Sequence, residues 1–373
     1  MTLLDVRFIS VSGTRLKMKV ALLGLPQSGK STLLAAMCDK EIPPVGSTQI
    51  QEGIVSVPDE RVDWLAEAYQ RKKRVYATID CLDVPGLSFT DEHTRAAACR
   101  LIGQVRTVDM LALVVRQFEN PQVPAYRHGL NPQKDLAELQ TEILLSDLEL
   151  VSTRIERLEQ QLKKPVKTQA HDEAELALHR RLQEAIEAEK PIRSVIQNDE
   201  ELELIRSLGF LTLKPMIVVV NLGEKQLTGE FDLGDVLDET VPGAGVCARL
   251  ENELSQLDED SRAEFMADLG LEDRAIDKFV HSCYSALGLV SFLTIGSNEV
   301  RAWPIRRDTV ALEAAGKVHS DIKRGFIRAE TMSFAELKEY GSEKELKAAG
   351  KVRLEGKEYI VQDGDIINFR FNV

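Results

Sequence analysis

Gly24-Leu25-Pro26-Gln27-Ser28-Gly29-Lys30-Ser31 follows an apolar run, Val20-Ala21-Leu22-Leu23, and leads into Thr32-Leu33-Leu34-Ala35-Ala36-Met37, which reads as a helix. Strand, GxxxxGKS, then helix is the setting in which a phosphate-loop pattern carries physical meaning. The glycines let the backbone curl so that successive N–H groups point inward, and the new helix adds the positive end of its dipole at the same place. Gly24, Pro26, Gln27, Ser28, Gly29, Lys30, Ser31 and Thr32 are therefore the expected contacts to a nucleoside triphosphate. Lys30 would reach the β- and γ-phosphates, and the Ser31 hydroxyl would meet Mg²⁺. A glycine-rich turn with a solvated lysine is the plain alternative; the flanking strand and helix weigh against it.

Working outward, Ile42-Pro43-Pro44-Val45-Gly46-Ser47-Thr48 reads as a loop, with Thr48, and Ser47 second, as a hydroxyl that could reach the metal and γ-phosphate. A plain surface turn is the rival reading. Ile54-Val55-Ser56-Val57 predicts a short strand, and Pro58–Arg61 the turn opening a helix through Trp64-Leu65-Ala66. Val75–Leu82 predicts one strand, rich in β-branched and aromatic residues, ending in Asp83-Val84-Pro85-Gly86-Leu87. This DxxG pattern makes Asp83 an expected metal group and the Gly86 N–H a γ-phosphate contact. Leu87 follows, at a position where many GTPases carry a glutamine that orients the attacking water; a leucine cannot do so.

Val108–Val115 reads as a buried parallel strand. Leu144, Leu148, Val151, Ile155, Leu158 and Leu162 then step by alternating fours and threes, a heptad seam, and after Lys163–Gln169 the period resumes at Leu178, Leu182, Ala185, Ile192 and Ile196. Two long antiparallel helices, an inserted coiled-coil hairpin, are expected, serving as a structural arm, a partner-binding lever, or both. Pro215–Val220 returns to a buried strand and runs into Asn221-Leu222-Gly223-Glu224, where GTPases have Asn-Lys-x-Asp. An aspartate there takes the paired hydrogens of guanine. Glu224 moves the carboxylate out by one methylene, which costs guanine that contact, and Leu222 keeps an apolar cover without the lysine charge. Val246–Leu250 reads as a short strand and turn, with the backbone at Ala248 lining the base, and Leu254–Phe279 as acidic and helical. From Leu289 the composition changes. Asp363-Gly364 between apolar alternations predicts a hairpin in a small mixed sheet, with a helix near Phe334–Tyr340.

The 373 residues suffice for two or three domains. No apolar run reaches the length of a membrane helix, and residues 1–17 lack the apolar core of a signal peptide. Met18 is a possible natural start, and residues 1–17 carry no assigned role. The five cysteines are odd in number and widely spaced, which fits neither a disulfide framework nor zinc and points to a reducing cytoplasm. A net charge of −13 argues against a nucleic-acid coat, and no DNA partner is expected, although the tail from residue 301 is slightly basic and could meet RNA locally.

The motifs GLPQSGKS, DVPGL and NLGE, with VCARLENEL (246–254), EVRAWPIR (299–306), AAGKVHSDIKRGFIRAE (314–330) and AGKVRLEGKEYIVQDGDIINFRFNV (349–373), resemble the Obg-like ATPases of the YchF type. The resemblance implies an α/β P-loop NTPase domain (18–130 and 207–288), an inserted helical coiled-coil domain (131–206) and a C-terminal ubiquitin-like β-grasp TGS domain (289–373). It also implies ATP in preference to GTP, Mg²⁺, a hydrophobic residue in place of the catalytic glutamine, and association with ribosomes. Catalysis would then rest on Lys30, with Leu87 at the glutamine position. The chain departs from the family pattern at Gln27-Ser28, where Asn-Val is usual, in the short glycine-free segment 88–98, and at Leu113, where many members place a histidine. A nucleotide-gated module with little hydrolysis, and a GTP-specific enzyme of the Obg/DRG sort, stand as alternative readings.

Overall fold

The computed structural model describes residues 18–38, 48–124, 126–127, 129–163, 168–227 and 241–372. Residues 1–17 and Ser47 fall outside this set. In chain order the elements are β1 (Lys19–Leu23), α1 (Lys30–Cys38), β2 (Gln51–Val57), α2 (Glu60–Ala68), β3 (Lys73–Val75), β4 (Ala77–Asp83), α3 (Glu92–Gln104), β5 (Met110–Arg116), α4 (Pro132–Gln161), α5 (Gln169–Glu187), α6 (Asp199–Arg206), β6 (Met216–Asn221), β7 (Gly243–Val246), α7 (Ala248–Ser255), α8 (Glu259–Asp268) and α9 (Ala275–Ala286). The C-terminal portion adds β8 (Leu289–Ile295), β9 (Glu299–Arg306), α10 (Ala311–Val318), α11 (Ser320–Arg324), β10 (Phe326–Ser333), α12 (Phe334–Tyr340), α13 (Glu343–Ala348), β11 (Arg353–Glu355) and β12 (Asp365–Phe371).

The chain divides into two compact units. The larger holds Lys19–Gly53 and Cys81–Ile276; the smaller gathers Ile54–Asp80 with Asp277–Val373, so the division falls at other positions than the boundaries read in the sequence. The first sheet runs β2-β4-β1-β5-β6-β7. β1, β5, β6 and β7 are mutually parallel, and β5 is buried along its whole length, which is why its sequence shows an unbroken apolar run instead of an alternation. A parallel sheet delivers every strand's C-terminal end to one edge, and in open α/β sheets that edge is where ligands bind.

α4 and α5 leave this sheet and pack antiparallel through Val151, Ile155, Leu178 and Leu182, with Arg154 gripping Glu175 at 2.7 and 2.9 Å. The second helix is shorter than the apolar period suggests: it stops at Glu187, and Ile192 lies in a separate 3₁₀ turn. Glu189 (φ 54°) and Pro191 break the helix before the pattern runs out. The middle of α4 is fixed by Asp147, fully buried, which accepts from Arg106 Nη1 at 2.6 Å and from the Thr212 backbone N–H and hydroxyl at 2.9 and 2.8 Å.

In the smaller unit the sheet order is β11-β10-β12-β8-β9-β3. Its core gathers Phe292, Phe326, Phe369, Ala314 and Ala315, with Trp303 stacked on Phe292 at 6.3 Å. Two expectations change here. The run Val75–Leu82 is not one strand: β3 ends at Val75 and pairs in parallel with β9, and β4 starts after Tyr76, whose hydroxyl is taken by Asp63. Asp363-Gly364 does not turn a hairpin, because β12 pairs antiparallel with β10 and parallel with β8. The Asp363 carboxylate instead accepts from the Ser291 N–H at 2.8 Å and from Arg61 at 2.8 Å, so its polarity serves a tether. No helix among the described residues is long and apolar enough to cross a membrane.

Candidate nucleotide site

β1 ends at Leu23 and the chain curls through Gly24–Gly29 into α1, whose first residue is Lys30. Two glycines in this turn are required by close approach. A Cβ on Gly24 would lie 2.4 Å from the Val114 carbonyl oxygen, and one on Gly29 (φ 93°) would lie 2.0 Å from Asn221 Nδ2. Gln27 also adopts positive φ, 62°, which asparagine tolerates better than glutamine. That is the physical content of the chain's departure from the usual Asn at this position.

Lys30 is 5% exposed and folds back onto its own loop, donating to the Gly24 carbonyl at 2.9 Å, the Leu25 carbonyl at 3.3 Å and Ser28 Oγ at 3.4 Å. Burial lowers its pKa to about 8, against the pull of the Asp83 carboxylate in the other direction. An ammonium held on carbonyl oxygens within a cramped loop is an incomplete ion pair; a phosphate group entering the loop would complete it.

At the next residue, Ser31 Oγ donates to Asp83 Oδ2 at 2.5 Å. Asp83 closes β4, is buried, and has its second oxygen, Oδ1, without a hydrogen-bond partner. Burial raises its pKa, opposed by the Ser31 hydroxyl and by Lys30. A hydroxyl and a carboxylate with a spare oxygen, both hard oxygen donors beside a phosphate cradle, suit Mg²⁺. These residues thus fit the ion. Thr48 is exposed, in irregular chain ahead of β2, and makes no hydrogen bond to Ser31 or Asp83.

The segment after Asp83 lies directly on the phosphate loop. A Cβ on Gly86 would meet Pro26 Cα at 2.7 Å, and the Leu87 N–H donates to the Gly24 carbonyl at 3.1 Å. Leu87 itself is fully buried, in the core cluster that also holds Leu25 of the phosphate loop, Val84, Phe89 and Ile102. Burying a leucine there contributes about 1.5–3 kcal/mol, whereas a glutamine in the same conformation would strand its amide. Leu113 is likewise 1% exposed, in the middle of β5. Neither leucine offers a group to a water molecule.

At the base end, Asn221 closes β6 and is buried. Its Nδ2 donates to the Ser28 carbonyl at 2.9 Å, and its Oδ1 accepts from the Ala248 N–H at 3.1 Å. One side chain therefore locks the phosphate loop to the start of α7. The sequence expectation of a strand and turn at 246–250 gives way to a helix that begins at Ala248, which Asn221 holds by its first N–H. Leu222 is buried in the core, and Glu224 is exposed at the start of a 3₁₀ turn, 3.8 Å from Arg249. Sequence reasoning missed Phe118. It follows β5, its backbone N–H donates to the Asn221 carbonyl at 3.0 Å, and its ring and Cβ lie within 3.8 Å of the Cβ positions at Gly29 and Gly223. Arg116 stacks over it at 4.4 Å while holding the carbonyls of Phe118, Val123 and Pro124. The signal was a lone aromatic two residues past a buried strand, opposite the NLGE turn.

A glycine cradle at a strand-to-helix turn, a buried lysine, a Ser–Asp pair and an asparagine clasp define a P-loop nucleotide-binding domain of the GTPase class. A family model described as a 50S ribosome-binding GTPase matches residues 19–154, and one named YchF-GTPase_C, described as a protein of unknown function, matches residues 289–372. The chain is 36% identical over 363 residues to the ribosome-binding ATPase YchF of Bacillus subtilis (strain 168), covering 94% of this chain and 98% of that one. It is 35% identical over 369 residues to Obg-like ATPase 1 of Oryza sativa subsp. japonica, covering 95% and 92%. The solved Schizosaccharomyces pombe YchF GTPase superposes with a TM-score of 0.83 at 30% identity, covering 96% of this chain and 99% of the other. The chain belongs to the YchF family.

Proposed function

We propose that this chain is a cytoplasmic P-loop ATPase that binds ATP with Mg²⁺ and acts as a nucleotide-dependent switch on ribosomes. The observation that carries the reading is the buried cradle: Lys30 held on its own carbonyls beside a Ser31–Asp83 pair with one carboxylate oxygen spare. Lys30 would exchange the Gly24 and Leu25 carbonyls for the β- and γ-phosphates. The ion, once bound by Ser31 and Asp83, supplies charge neutralisation to the phosphates. The Gly86 N–H would meet the γ-phosphate, a reading supported by the close approach of Gly86 to Pro26 of the phosphate loop, and Thr48 is the candidate from the preceding loop. Phe118 is placed to stack on the purine near Gly223, with the Ala248 backbone on the same rim. Adenine preference rests on Glu224, whose carboxylate stands one methylene beyond an aspartate. Ribosome association rests on the names borne by the relatives, and the C-terminal sheet is read as a TGS domain on the family resemblance.

The burial of Leu87 and Leu113 favours a second reading, a nucleotide-gated binding module with little turnover. Phosphate release from ATP, measured with and without purified ribosomes, separates the two. Slow release that ribosomes accelerate supports the ATPase switch; no release in either condition leaves the binding module.

A further inference from the structure

The base-reading carboxylate is not isolated. Asn221 fixes the N–H of Ala248, and the next side chain, Arg249, brings its Nε to 3.8 Å from Glu224 Oε1 and 3.0 Å from Glu253 Oε1. Glu224 and Arg249 are both exposed, and the guanidinium Nε that faces Glu224 also donates to Glu253. A carboxylate beside a guanidinium presents an acceptor next to a donor. Adenine carries the complement along one edge: the 6-amino group donates and ring N1 accepts. Guanine reverses both positions, with an oxygen acceptor at 6 and an N–H donor at 1.

We propose that Arg249 is a purine-selecting residue of this site, donating to adenine N1 while Glu224 accepts from the 6-amino group. The inference rests on the nucleotide reading above and assigns part of its specificity to a residue outside the NLGE motif. Guanine in the same pose would set its O6 against the Glu224 carboxylate and its N1–H against the guanidinium. The ion pair also draws the Glu224 carboxylate toward Arg249, away from the position in which a carboxylate spans guanine's N1 and N2 hydrogens. Arg249 thus acts twice in the same direction, by pairing with adenine and by withholding the acceptor from guanine. Its contact with Glu253, one helical turn along, orients the side chain.

The test is competition of ATP, GTP and 1-deaza-ATP, in which ring N1 is replaced by C–H, against a fluorescent ADP analogue on the full chain. Wild type is expected to bind ATP more tightly than either competitor. Arg249→Ala should narrow the ATP-over-GTP ratio by roughly tenfold, the scale of one purine-edge hydrogen-bond pair, and should bind ATP and 1-deaza-ATP alike. Glu253→Gln removes the charge beside Arg249 but keeps an acceptor that can orient it, leaves Glu224 untouched, and should retain most of the preference for ATP. A 1-deaza penalty that survives Arg249→Ala, an unchanged ATP:GTP ratio, or an equal loss in Glu253→Gln would overturn the assignment. Wild-type chain that bound none of the three would overturn the nucleotide reading and this inference together; binding without dependence on N1 overturns this inference alone.

Discussion

The two ends of the nucleotide site are built on opposite physical terms. At the phosphate end, the groups that matter are buried or half-buried and already hydrogen-bonded: Lys30 to Gly24, Ser31 to Asp83, and Ser28 to Asn221, which reaches across from the base end. At the base end, Glu224 and Arg249 stand exposed with a 3.8 Å contact. The difference teaches where each end obtains its strength. The phosphate end is preorganised, so its cost is met in folding and its residues are sensitive to volume and strain. On the proposed reading Glu224 and Arg249 discriminate by edge chemistry at an exposed position, so substituting either should alter preference more than folding.

The sharpest way to break that contrast is Gly29→Ala. The new Cβ would fall 2.0 Å from Asn221 Nδ2, and the backbone would sit at φ 93° with a side chain attached. The backbone conformation alone costs about 1–3 kcal/mol, before the clash displaces Asn221. Loss of thermal stability together with loss of ATP binding is expected; a variant with wild-type melting and affinity would show that the loop is not preorganised. Asn221→Ala comes next. It orphans the Ser28 carbonyl and the Ala248 N–H, each at about 1–3 kcal/mol when buried, and should lower the denaturant midpoint with little change in m-value. Because one side chain holds both ends, ATP and GTP should weaken together, unlike the selective change expected at Arg249.

A smaller effect follows from Lys30. Its pKa of about 8 in the free protein must rise when a polyphosphate supplies negative charge. Binding then takes up a proton above pH 8, and triphosphate affinity falls by up to roughly tenfold per pH unit there. Calorimetry in two buffers of different ionisation enthalpy reads that uptake directly; pH-independent affinity from 7 to 10 would exclude a buried, depressed lysine. The sign for folding is opposite. Between about 8 and 10.5 the unfolded lysine keeps its proton and the folded one does not, so stability of the free protein rises with pH across that window. The smallest expected change is Gln27→Asn. It should recover a fraction of the roughly 1–2 kcal/mol that the left-handed conformation costs, seen as a slightly higher melting temperature with unchanged nucleotide affinity.

What could be read from the sequence follows the same division. The strand–GxxxxGKS–helix order, Asp83 at a strand end and the long apolar β5 are local patterns with local causes, and they fold as read. Phe118 and Arg249 do not stand out in the sequence because their contacts depend on pairings across the fold: Phe118 meets Gly29 and Gly223, and Arg249 meets Glu224, only once β5, β6 and β7 lie side by side. The splitting of Val75–Leu82 into β3 and β4 was hidden for the same reason, since β3 pairs with β9, more than two hundred residues onward. Leu87 was read by its chemistry, the lack of an amide, while its burial in the core required the three-dimensional packing.

Gly24–Thr32 is proposed as a triphosphate cradle whose lysine is already in place. Equilibrium titration of wild type and Lys30→Ala with ATP, GTP and their diphosphates tests it most directly. Wild type is expected to bind ATP more tightly than GTP, and Lys30→Ala to lose about 100-fold in ATP affinity, close to 2.7 kcal/mol. The loss for ADP should be smaller. Wild-type ATP affinity in Lys30→Ala would show that the loop is not a triphosphate cradle.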